Sequence, residues 1–487
     1  MTKKNTLHHI VELFAGTFIN VIIGVITAPI ITRLVSPDAY GQLSVFTLYE
    51  NIIVMILCLG LDQALIRFYY RENTVEYRKN LIKHCILLPI LIFIGLGGIL
   101  VTLCFLGVFS FELGLYGAVL LFVCSLIQLI RRFSFIVLRL EYCSRTYSIL
   151  HIVQKIIYVV CIVVFLQIIS GYDFEVMAWS TIISFFAVTL ASVLSVRRLW
   201  TFSWKSQTAI NRRELLLFGM PFIVSMGLTT IFQAIDQLAI KYFCDFYEIG
   251  IYSSAMSIIH IFALVQTTFN AFWGPLSTEH YQANHDSNKD FYVKANDYIC
   301  VIMFFMGIVL IMVKDLLGLF LGSEYRLAIF IIPCLVFSPV MQTISETTSV
   351  GINYSKKSYF HIIVSLIACI VNIAGNICLV PILGGKGAAI STGISYIVFF
   401  AVRTIFSVRM FNVQYKYGKI ITMISVLLIY ALYNTFYRFG VISLFSGFVC
   451  LAVWFLLYRK ELIALLKQAV LFLKKKKTSL VNNNSEE

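Results

Sequence analysis

The chain contains 487 residues, of which 60% are hydrophobic and 13% charged, and its formal net charge at pH 7 is +14. This composition leaves too little polar sequence for a soluble domain of any size outside a membrane. The basic residues are spread over many short connections, which favours anionic lipid headgroups over nucleic acid as their neighbours. Any function must therefore lie among the apolar segments.

Fourteen apolar runs of about 20 residues follow one another along the chain, and each is long enough to cross the hydrocarbon core as a helix. The sequence therefore predicts an all-α polytopic membrane protein with about 14 transmembrane helices. The predicted spans lie near residues 10–32, 41–62, 84–107, 113–133, 148–169, 176–196, 215–240, 249–272, 298–320, 327–350, 358–380, 387–408, 419–437 and 441–458.

The lysines and arginines indicate which side of the membrane each connection faces. With the amino terminus inside, the connections after even-numbered spans and the basic tail hold most of the 38 Lys and Arg residues. Because cytoplasmic loops are enriched in these residues, the asymmetry predicts an inner-type membrane protein with both termini in the cytoplasm. Only six basic residues fall on the predicted outer side: Arg33, Lys241, Lys314, Arg326, Lys386 and Arg438.

The sequence carries no pattern typical of a cofactor site or a catalytic centre. Its 12 cysteines are scattered without a CxxC pair or a cluster with metal-ligand spacing. It contains neither a Gly-rich phosphate loop followed by Lys nor an HExxH motif. The sequence therefore predicts a protein that is not an enzyme and holds no metal or organic cofactor.

A stripe of small and polar residues marks one face of the first predicted span. Gly16, Asn20, Gly24 and Thr27 recur at spacings of three or four residues, which places them on one side of a helix. Such a stripe allows a second helix to approach closely or lines a hydrated cavity, and both interpretations remain open. Arg33 follows at the predicted outer end of the span and is a candidate for substrate binding.

The second span ends with an acidic and a basic residue that are both candidates for a polar site. Asp62 lies within two turns of the predicted cytoplasmic interface, and Arg67 follows five residues later. At this depth the carboxylate of Asp62 either contributes to a cavity or simply reaches water or pairs with Arg67.

A basic cluster lies at the predicted cytoplasmic end of the fifth span, where His151 and Lys155 are four residues apart. Arg139 is close to them in sequence, as are Arg131 and Arg132. If these side chains face inward, they form a cationic vestibule suited to a phosphate-bearing headgroup. The alternative is that Lys155 extends its ammonium to the membrane interface.

The main acidic candidate is Asp236, about one turn inside the predicted outer end of the seventh span. An ionisable group at membrane depth is costly unless it is paired or hydrated, so it is a functional candidate by default. Lys241 is too far along the helix to be its ideal partner and is itself a cavity candidate.

Two asparagines, Asn372 and Asn376, share one face of the eleventh span, and a short Gly-rich turn after it forces the next helix into an antiparallel hairpin. They are candidates for the cavity lining, and hydrogen bonding between the two helices explains them equally well.

The two halves of the chain show a faint internal similarity. The segment Tyr40-Gly-Gln-Leu-Ser44 after the first span resembles Gly250-Ile-Tyr-Ser-Ser254 after the seventh. Six spans separate the two segments, as a repeat in parallel orientation requires.

Several motifs in combination resemble the polysaccharide biosynthesis flippases, the Wzx-type or O-antigen flippases of the multidrug, oligosaccharidyl-lipid and polysaccharide exporter superfamily. They are the connection Pro29 to Gly41, the Leu-Gly-Leu-Asp and Arg-Phe-Tyr-Tyr segment, Phe218-Gly-Met-Pro221, Ala271-Phe-Trp-Gly-Pro275 and the stretch Asn372 to Thr392. Relatives often carry a basic residue directly after the acidic position of the seventh span, where this chain has Gln237.

The resemblance implies two six-helix bundles around a V-shaped central cavity, followed by two additional helices. It places the bundles at residues 1–209 and 210–412, the additional helices at 413–466 and a basic cytoplasmic tail at 467–487. It implies that the protein moves undecaprenyl-pyrophosphate-linked oligosaccharides to the outer leaflet by alternating access, for an O-antigen, a capsule or a similar polymer.

The partners expected from the resemblance are the lipid-linked oligosaccharide, membrane lipids and a polysaccharide polymerase complex, and a proton or sodium ion is a candidate coupling ion. Three alternatives remain: a cation-coupled multidrug exporter of the same superfamily, a membrane glycan polymerase or ligase, and a scaffold that transports nothing. The absence of a large outer loop argues against the polymerase or ligase.

Overall fold

A computed structural model of the chain describes residues 23–24, 26–107, 111–169, 171–201, 210–284, 289–355, 357 and 359–483. All regular secondary structure in these ranges is helical. The helices are α1 (residues 26–34), α2 (Pro37–Leu57), α3 (Leu61–Phe68), α4 (Val75–Phe105), α5 (Gly114–Leu140), α6 (Ser144–Ile168), α7 (Asp173–Ser195), α8 (Arg197–Trp200), α9 (Arg212–Phe243), α10 (Phe246–Ile259), α11 (Phe262–Asn284), α12 (Asp290–Met312), α13 (Lys314–Phe320), a 3₁₀ helix (Ser323–Phe330), α14 (Ile332–Leu335), α15 (Phe337–Thr348), α16 (Val350–Tyr354), α17 (Tyr359–Leu383), α18 (Gly385–Met410), α19 (Tyr417–Phe436) and α20 (Val441–Asn483).

The predicted all-α polytopic fold is confirmed. Within the described ranges, 11 helices are long and apolar enough to cross a membrane, and a bent pair, Ser323–Phe330 with Ile332–Thr348, gives a twelfth. The predicted eighth span is divided between α10 and α11. Much of the predicted first span, with Gly16 and Asn20, lies outside the described residues. The arrangement of two bundles around a V-shaped cavity stays a prediction.

Three other predicted spans also differ from the observed helices. The second, 41–62, is interrupted, because Leu59 and Gly60 adopt positive φ angles of 50° and 67° and separate α2 from α3. The ninth, 298–320, divides into α12 and the short α13. The last helix, α20, does not end near residue 458 but continues through much of the predicted tail to Asn483.

Two helices related by the internal similarity begin with the same kind of cap. The Ser36 side chain accepts a hydrogen bond from the backbone N–H of Ala39 at the start of α2, and the Asp245 side chain accepts one from Glu248 N–H at the start of α10. Both residues precede a helix and satisfy an N–H that has no partner within the helix. Ser36 precedes Gly41 by five residues and Asp245 precedes Gly250 by five, so the two helices start at equivalent positions relative to these glycines.

The chain divides into two compact units. Unit one comprises Met1–Leu264 with Phe320–Arg326, and unit two comprises Val265–Leu319 with Leu327–Glu487. The boundary between these units differs from the predicted boundary between bundles at residues 209 and 210. The reason is that α9 packs against α3, and α10 packs along α2, within unit one. The bundle boundaries stay a prediction about internal symmetry.

Ion pairs within unit one agree with the predicted alternation of sides. Arg71 at the end of α3 pairs with Glu214 at the start of α9, with an N–O distance of 2.9 Å. At the other ends of the helices, Lys241 of α9 pairs with Glu112 between α4 and α5, at 2.5 Å. Each pair joins connections that the charge asymmetry predicts to lie on one side of the membrane.

The two additional helices α19 and α20 are integral to unit two. Lys416, before α19, bonds to Asp297 of α12 at 2.5 Å and to Glu461 of α20 at 3.0 Å. Earlier in α20, the indole N–H of Trp454 donates to the carbonyl oxygen of Val301 at 3.0 Å. Ionic and backbone contacts thus fix both helices to α12.

Candidate functional site: a polar cavity in unit one

A cavity of about 310 Å³ lies inside unit one and is bordered by α1, α2, α6, α7 and α10. Hydroxyl, amide and ammonium groups form a large part of its wall, together with the apolar Ile31, Leu43 and Phe185. Such a lining provides hydrogen-bonding partners for water or a polar ligand within the membrane region. The polar lining residues are Thr27, Tyr40, Ser44, Thr47, Gln154, Lys155, Tyr158, Thr181, Ser184 and Ser257.

Lys155 contributes a basic side chain to this cavity. It lies 11 residues from the start of α6 at Ser144, which is roughly 16 Å along the helix axis. The ammonium extends toward Gly24, two residues before α1, where an added Cβ atom would be 2.7 Å from Nζ. The predicted inward orientation of Lys155 therefore describes its geometry better than extension to the interface. Gly24 and Thr27 of the sequence stripe both line the same cavity.

Arg131 of α5 lies directly behind the cavity wall. Its Nη1 donates to the Gln154 side-chain oxygen at 3.0 Å, and its guanidinium carbon is 4.5 Å from the Phe185 ring centroid. Both of these partners line the cavity. Sequence reasoning placed Arg131 in a basic cluster but did not select it as a site residue, because its orientation depends on contacts with α6 and α7.

The other members of the predicted cationic vestibule do not line the cavity. His151 packs edge-on against Phe135 and Tyr147, with ring centroid distances of 4.8 and 4.6 Å. Arg139 is exposed, with its guanidinium 5.9 Å from the Tyr147 ring. Arg33 is also exposed, at the end of α1. Lys155 is therefore the member of this predicted group that reaches the cavity.

Glu50 is an ionisable residue that the sequence analysis missed. Its side chain, in α2, is only 2% exposed, and its Oε1 has no hydrogen-bond partner among the described atoms. Arg131 is close enough to interact with it electrostatically. The sequence did offer a signal for this residue, because Glu50 places a carboxylate in the middle of the predicted span 41–62.

Asp62 pairs with Arg132 rather than with Arg67. The Arg132 guanidinium donates to Oδ2 of Asp62 from Nη2 at 2.6 Å and from Nε at 3.1 Å. Asp62 is 1% exposed, whereas Arg67 is at the surface. The break at Leu59 and Gly60 places Asp62 at the start of a new helix that packs against α5. The Asp62 carboxylate therefore lies in the packed interior of unit one, while the Arg132 side chain is 32% exposed.

Asp236 is also held within the packed interior of unit one. It is 6% exposed, and its Oδ2 accepts a hydrogen bond from the Tyr252 hydroxyl of α10 at 2.6 Å. Lys241, one turn beyond, instead bonds to the Tyr49 hydroxyl and pairs with Glu112. The two candidates of the seventh span therefore make separate contacts, and neither lines the 310 Å³ cavity.

Asn372 and Asn376 form a hydrogen-bonded group between α17 and α18 in unit two. The Asn372 amide donates to the Thr392 hydroxyl at 3.2 Å, and the Asn376 amide donates to the Asn372 side-chain oxygen at 3.0 Å. The Ser391 hydroxyl donates to the backbone carbonyl of Asn372 at 2.8 Å. The interpretation as hydrogen bonding between two helices accounts for this geometry.

The two similar segments meet where α2 crosses α10 in unit one. A Cβ atom on Gly41 would lie 1.9 Å from the carbonyl oxygen of Phe246, and one on Gly250 would lie 2.0 Å from that of Pro37. Each glycine therefore contacts the residue four positions before the other glycine. This reciprocal contact supports the predicted repeat and explains why both segments contain glycine there.

The chain matches a family model described as polysaccharide biosynthesis protein over residues 7–279. It is 23% identical over 299 residues to the probable low-salt glycan biosynthesis flippase Agl15 of Haloferax volcanii, an alignment that covers 60% of this chain. The same alignment spans 62% of that relative, which is less than two-thirds of its length.

The fold is similar to that of solved membrane transporters. For the structure described as "Lipid II flippase MurJ, inward closed conformation", the TM-score is 0.69 at 15% identity, covering 94% of this chain and 99% of that one. For an inward-facing multidrug resistance MATE family transporter of the MOP superfamily, the TM-score is 0.58 at 14% identity, covering 86% and 98%. The motifs, the helical fold and the match over more than half of the sequence together show that this chain belongs to the polysaccharide biosynthesis protein family.

Proposed function

We propose that this protein is a flippase that moves undecaprenyl-pyrophosphate-linked oligosaccharides from the inner to the outer leaflet by alternating access. The observation that carries the proposal is the polar cavity of unit one, with the Lys155 ammonium in its lining and the Arg131 guanidinium behind its wall. The family match and the transporter fold support the same function.

The physical task requires a hydrated path within the membrane. An oligosaccharide carries many hydroxyls, and each costs several kcal/mol in hydrocarbon when it has no hydrogen-bond partner. Hydroxyl and amide groups such as those of Thr27, Tyr40 and Gln154 provide partners that hydrocarbon lacks. The polyprenyl tail is compatible with the bilayer and needs no such path.

The pyrophosphate adds negative charge, which explains a basic cavity. We propose that Lys155 binds a phosphate oxygen directly and that Arg131 contributes favourable potential from behind Gln154 and Phe185. Outward movement of an anion is favoured by an inside-negative potential, by roughly 2.3 kcal/mol per charge at 100 mV. Inward movement of a proton or sodium ion is the proposed additional source of bias.

The proposal includes a location and partners. The protein lies in the bacterial cytoplasmic membrane with both termini inside, acts as a transporter rather than an enzyme, and delivers its substrate to a polysaccharide polymerase complex. The charge asymmetry of the connections supports the orientation, and the family match supports the role in polysaccharide biosynthesis.

The multidrug exporter is the second candidate, because a MATE transporter shares the fold. A site for cationic drugs favours acidic groups, which attract positive charge. None of the residues described as lining the 310 Å³ cavity is acidic, and Lys155 is basic. The lining therefore favours an anionic substrate.

Replacing Lys155 with glutamine is expected to lower flipping at least tenfold. A hydrogen bond to a charged group contributes about 1.5–3 kcal/mol, and glutamine keeps the polarity without the charge. The measurement is leaflet exposure of the lipid-linked oligosaccharide in proteoliposomes. Lys155→Arg should retain most of the activity, and Arg139→Gln serves as the matched control because Arg139 lies outside the cavity. Equal rates for Lys155→Gln and Arg139→Gln would contradict the assigned role.

The Asp236→Asn variant separates a transporter from a scaffold. Asparagine still accepts the hydrogen bond from Tyr252, so we expect a change in unfolding free energy below about 1 kcal/mol. Loss of the charge is expected to lower transport at least tenfold, because an ionisable group at membrane depth is costly and is therefore a functional candidate by default. Export of surface polysaccharide and thermal unfolding are measured together. Unchanged export by a normally inserted variant would support the scaffold.

A further inference from the structure

Lysines from two connections of unit two lie at one aromatic ring on the predicted outer side, and a third connection contacts one of these lysines. The Lys314 ammonium, at the start of α13, is 5.2 Å from the Phe330 ring centroid, and the Lys386 ammonium, near the start of α18, is 4.5 Å from it. Lys314 also donates to the carbonyl oxygen of Tyr437 at the end of α19, at 3.2 Å. Arg438 follows directly in the chain and acts electrostatically on Lys314.

Positive charge exceeds negative charge in this group. Asp315 pairs with Lys314 at 3.0 Å, and Lys314 is 0% exposed. In the described part of the chain, neither Lys386 nor Arg438 forms an ion pair with a carboxylate within 4.0 Å. Three basic groups therefore share one acidic partner, and two of them retain the capacity to bind an anion.

The pKa of the Lys314 ammonium reflects its burial and the charges around it. Burial lowers the pKa of the Lys314 ammonium, Asp315 opposes that effect, and Arg438 and Lys386 lower the pKa further. An anion bound to Lys386 and Arg438 would offset the repulsion among the three basic groups.

The charge distribution along the sequence makes the group unusual. Only six basic residues are predicted to lie on the outer side, and three of them, Lys314, Lys386 and Arg438, belong to this group. Basic residues outside the cytoplasm oppose the general topological preference. Cation–π contact with Phe330 provides part of their stabilisation but leaves the ammonium of Lys386 able to donate hydrogen bonds.

The surroundings of Arg438 indicate membrane headgroups. Phe436, Tyr437, Phe439 and Val441 flank it in sequence, and their exposed fractions are 46%, 57%, 53% and 86%. Exposed aromatic residues at a helix end are typical of the headgroup level of a bilayer. A ligand of Arg438 and the neighbouring lysines would therefore approach them from the lipid bilayer.

We propose that Lys386 and Arg438, together with the buried Lys314, form a binding site for the phosphate group of a membrane lipid in the outer leaflet. Arg438 supplies a planar set of donors to the phosphate oxygens, Lys386 supplies a second charge held against Phe330, and Lys314 fixes the end of α19 through Tyr437. The site is separate from the cavity of unit one and does not depend on which substrate is transported.

The test is lipid binding by the purified full-length protein, measured by native mass spectrometry during titration with phosphatidylglycerol. The double variant Lys386→Gln/Arg438→Gln is expected to weaken the highest-affinity binding about thirtyfold, the equivalent of roughly 1 kcal/mol for each basic residue. Buried Lys314 remains unchanged, and a thermal unfolding curve checks the fold. Arg326→Gln, an exposed basic residue also predicted to lie on the outer side, should change binding less than threefold.

Two further binding measurements identify the chemical class of the ligand. Glycerol phosphate at equal concentration should not displace the lipid, whereas displacement would indicate a site for soluble anions and overturn the proposal. A neutral diacylglycerol should bind at least tenfold more weakly than phosphatidylglycerol. Equal binding of both lipids, or unchanged affinity in the folded double variant, would also overturn it.

Discussion

Replacing Arg132 with alanine is expected to destabilise the protein by about 3 kcal/mol, because it leaves the buried carboxylate of Asp62 without its charged partner, although the Arg132 side chain itself is 32% exposed. Asp62 would remain 1% exposed, its Oδ2 would keep only the amide of Gln63 at 3.2 Å, and its Oδ1 already has no hydrogen-bond partner in the described chain. The measurement is the free energy of unfolding in mixed micelles, compared with the unaltered protein.

Matched variants distinguish the buried charge from simple loss of packing. The double variant Asp62→Leu/Arg132→Met removes both charges and keeps apolar volume, so it should recover most of the lost stability. Arg67→Ala removes an exposed arginine five residues from Asp62 and should change stability by less than about 0.5 kcal/mol. Equal free energies of unfolding for Arg132→Ala and Arg67→Ala would show that Arg132 does not stabilise the buried carboxylate of Asp62.

A valine at Gly41 should separate α2 from α10 and destabilise their crossing by about 1–3 kcal/mol or more, the typical cost of overpacking. The added Cβ would lie 1.9 Å from the Phe246 carbonyl oxygen and 2.8 Å from its carbonyl carbon. Both are backbone atoms, so no side-chain rotation relieves the overlap. The reciprocal variant Gly250→Val should have a similar effect, because its Cβ would meet the Pro37 carbonyl.

The chain provides a matched control for this substitution. Gly95 lies within α4, and an added Cβ there would have no neighbour within 4 Å among the described residues. Gly95→Val places the same side chain in a membrane helix without the overlap and should leave unfolding almost unchanged. Thermal unfolding midpoints of Gly41→Val, Gly250→Val and Gly95→Val measure the difference. Equal midpoints for all three would show that the helices separate without cost.

The helical fold could be predicted because apolar length determines whether a helix crosses a membrane. The break between α2 and α3 could not, because Leu59 has a positive φ angle that its sequence context does not signal. That break decides which residue pairs with Asp62, and the partner, Arg132, is 70 positions away in the chain.

The site was predicted only in part, since linear spacing cannot show which helix face meets another. Lys155 was selected for its charge and its place beside other basic residues at the predicted end of the fifth span, and the cavity beside Gly24 is consistent with that selection. Arg131 reaches the same cavity wall only through Gln154 and Phe185, which belong to two other helices. His151 had the right residue type and spacing, but its ring packs between aromatic side chains.

The most direct test of flipping uses sealed proteoliposomes that contain the purified protein and an undecaprenyl-pyrophosphate-linked oligosaccharide. An impermeant glycan-cleaving enzyme reports how much substrate reaches the outer leaflet, with and without an imposed inside-negative potential. We expect exposure that requires the protein and accelerates when the potential is applied. No exposure above protein-free vesicles, with folded protein and several oligosaccharide headgroups, would contradict the proposed flippase function.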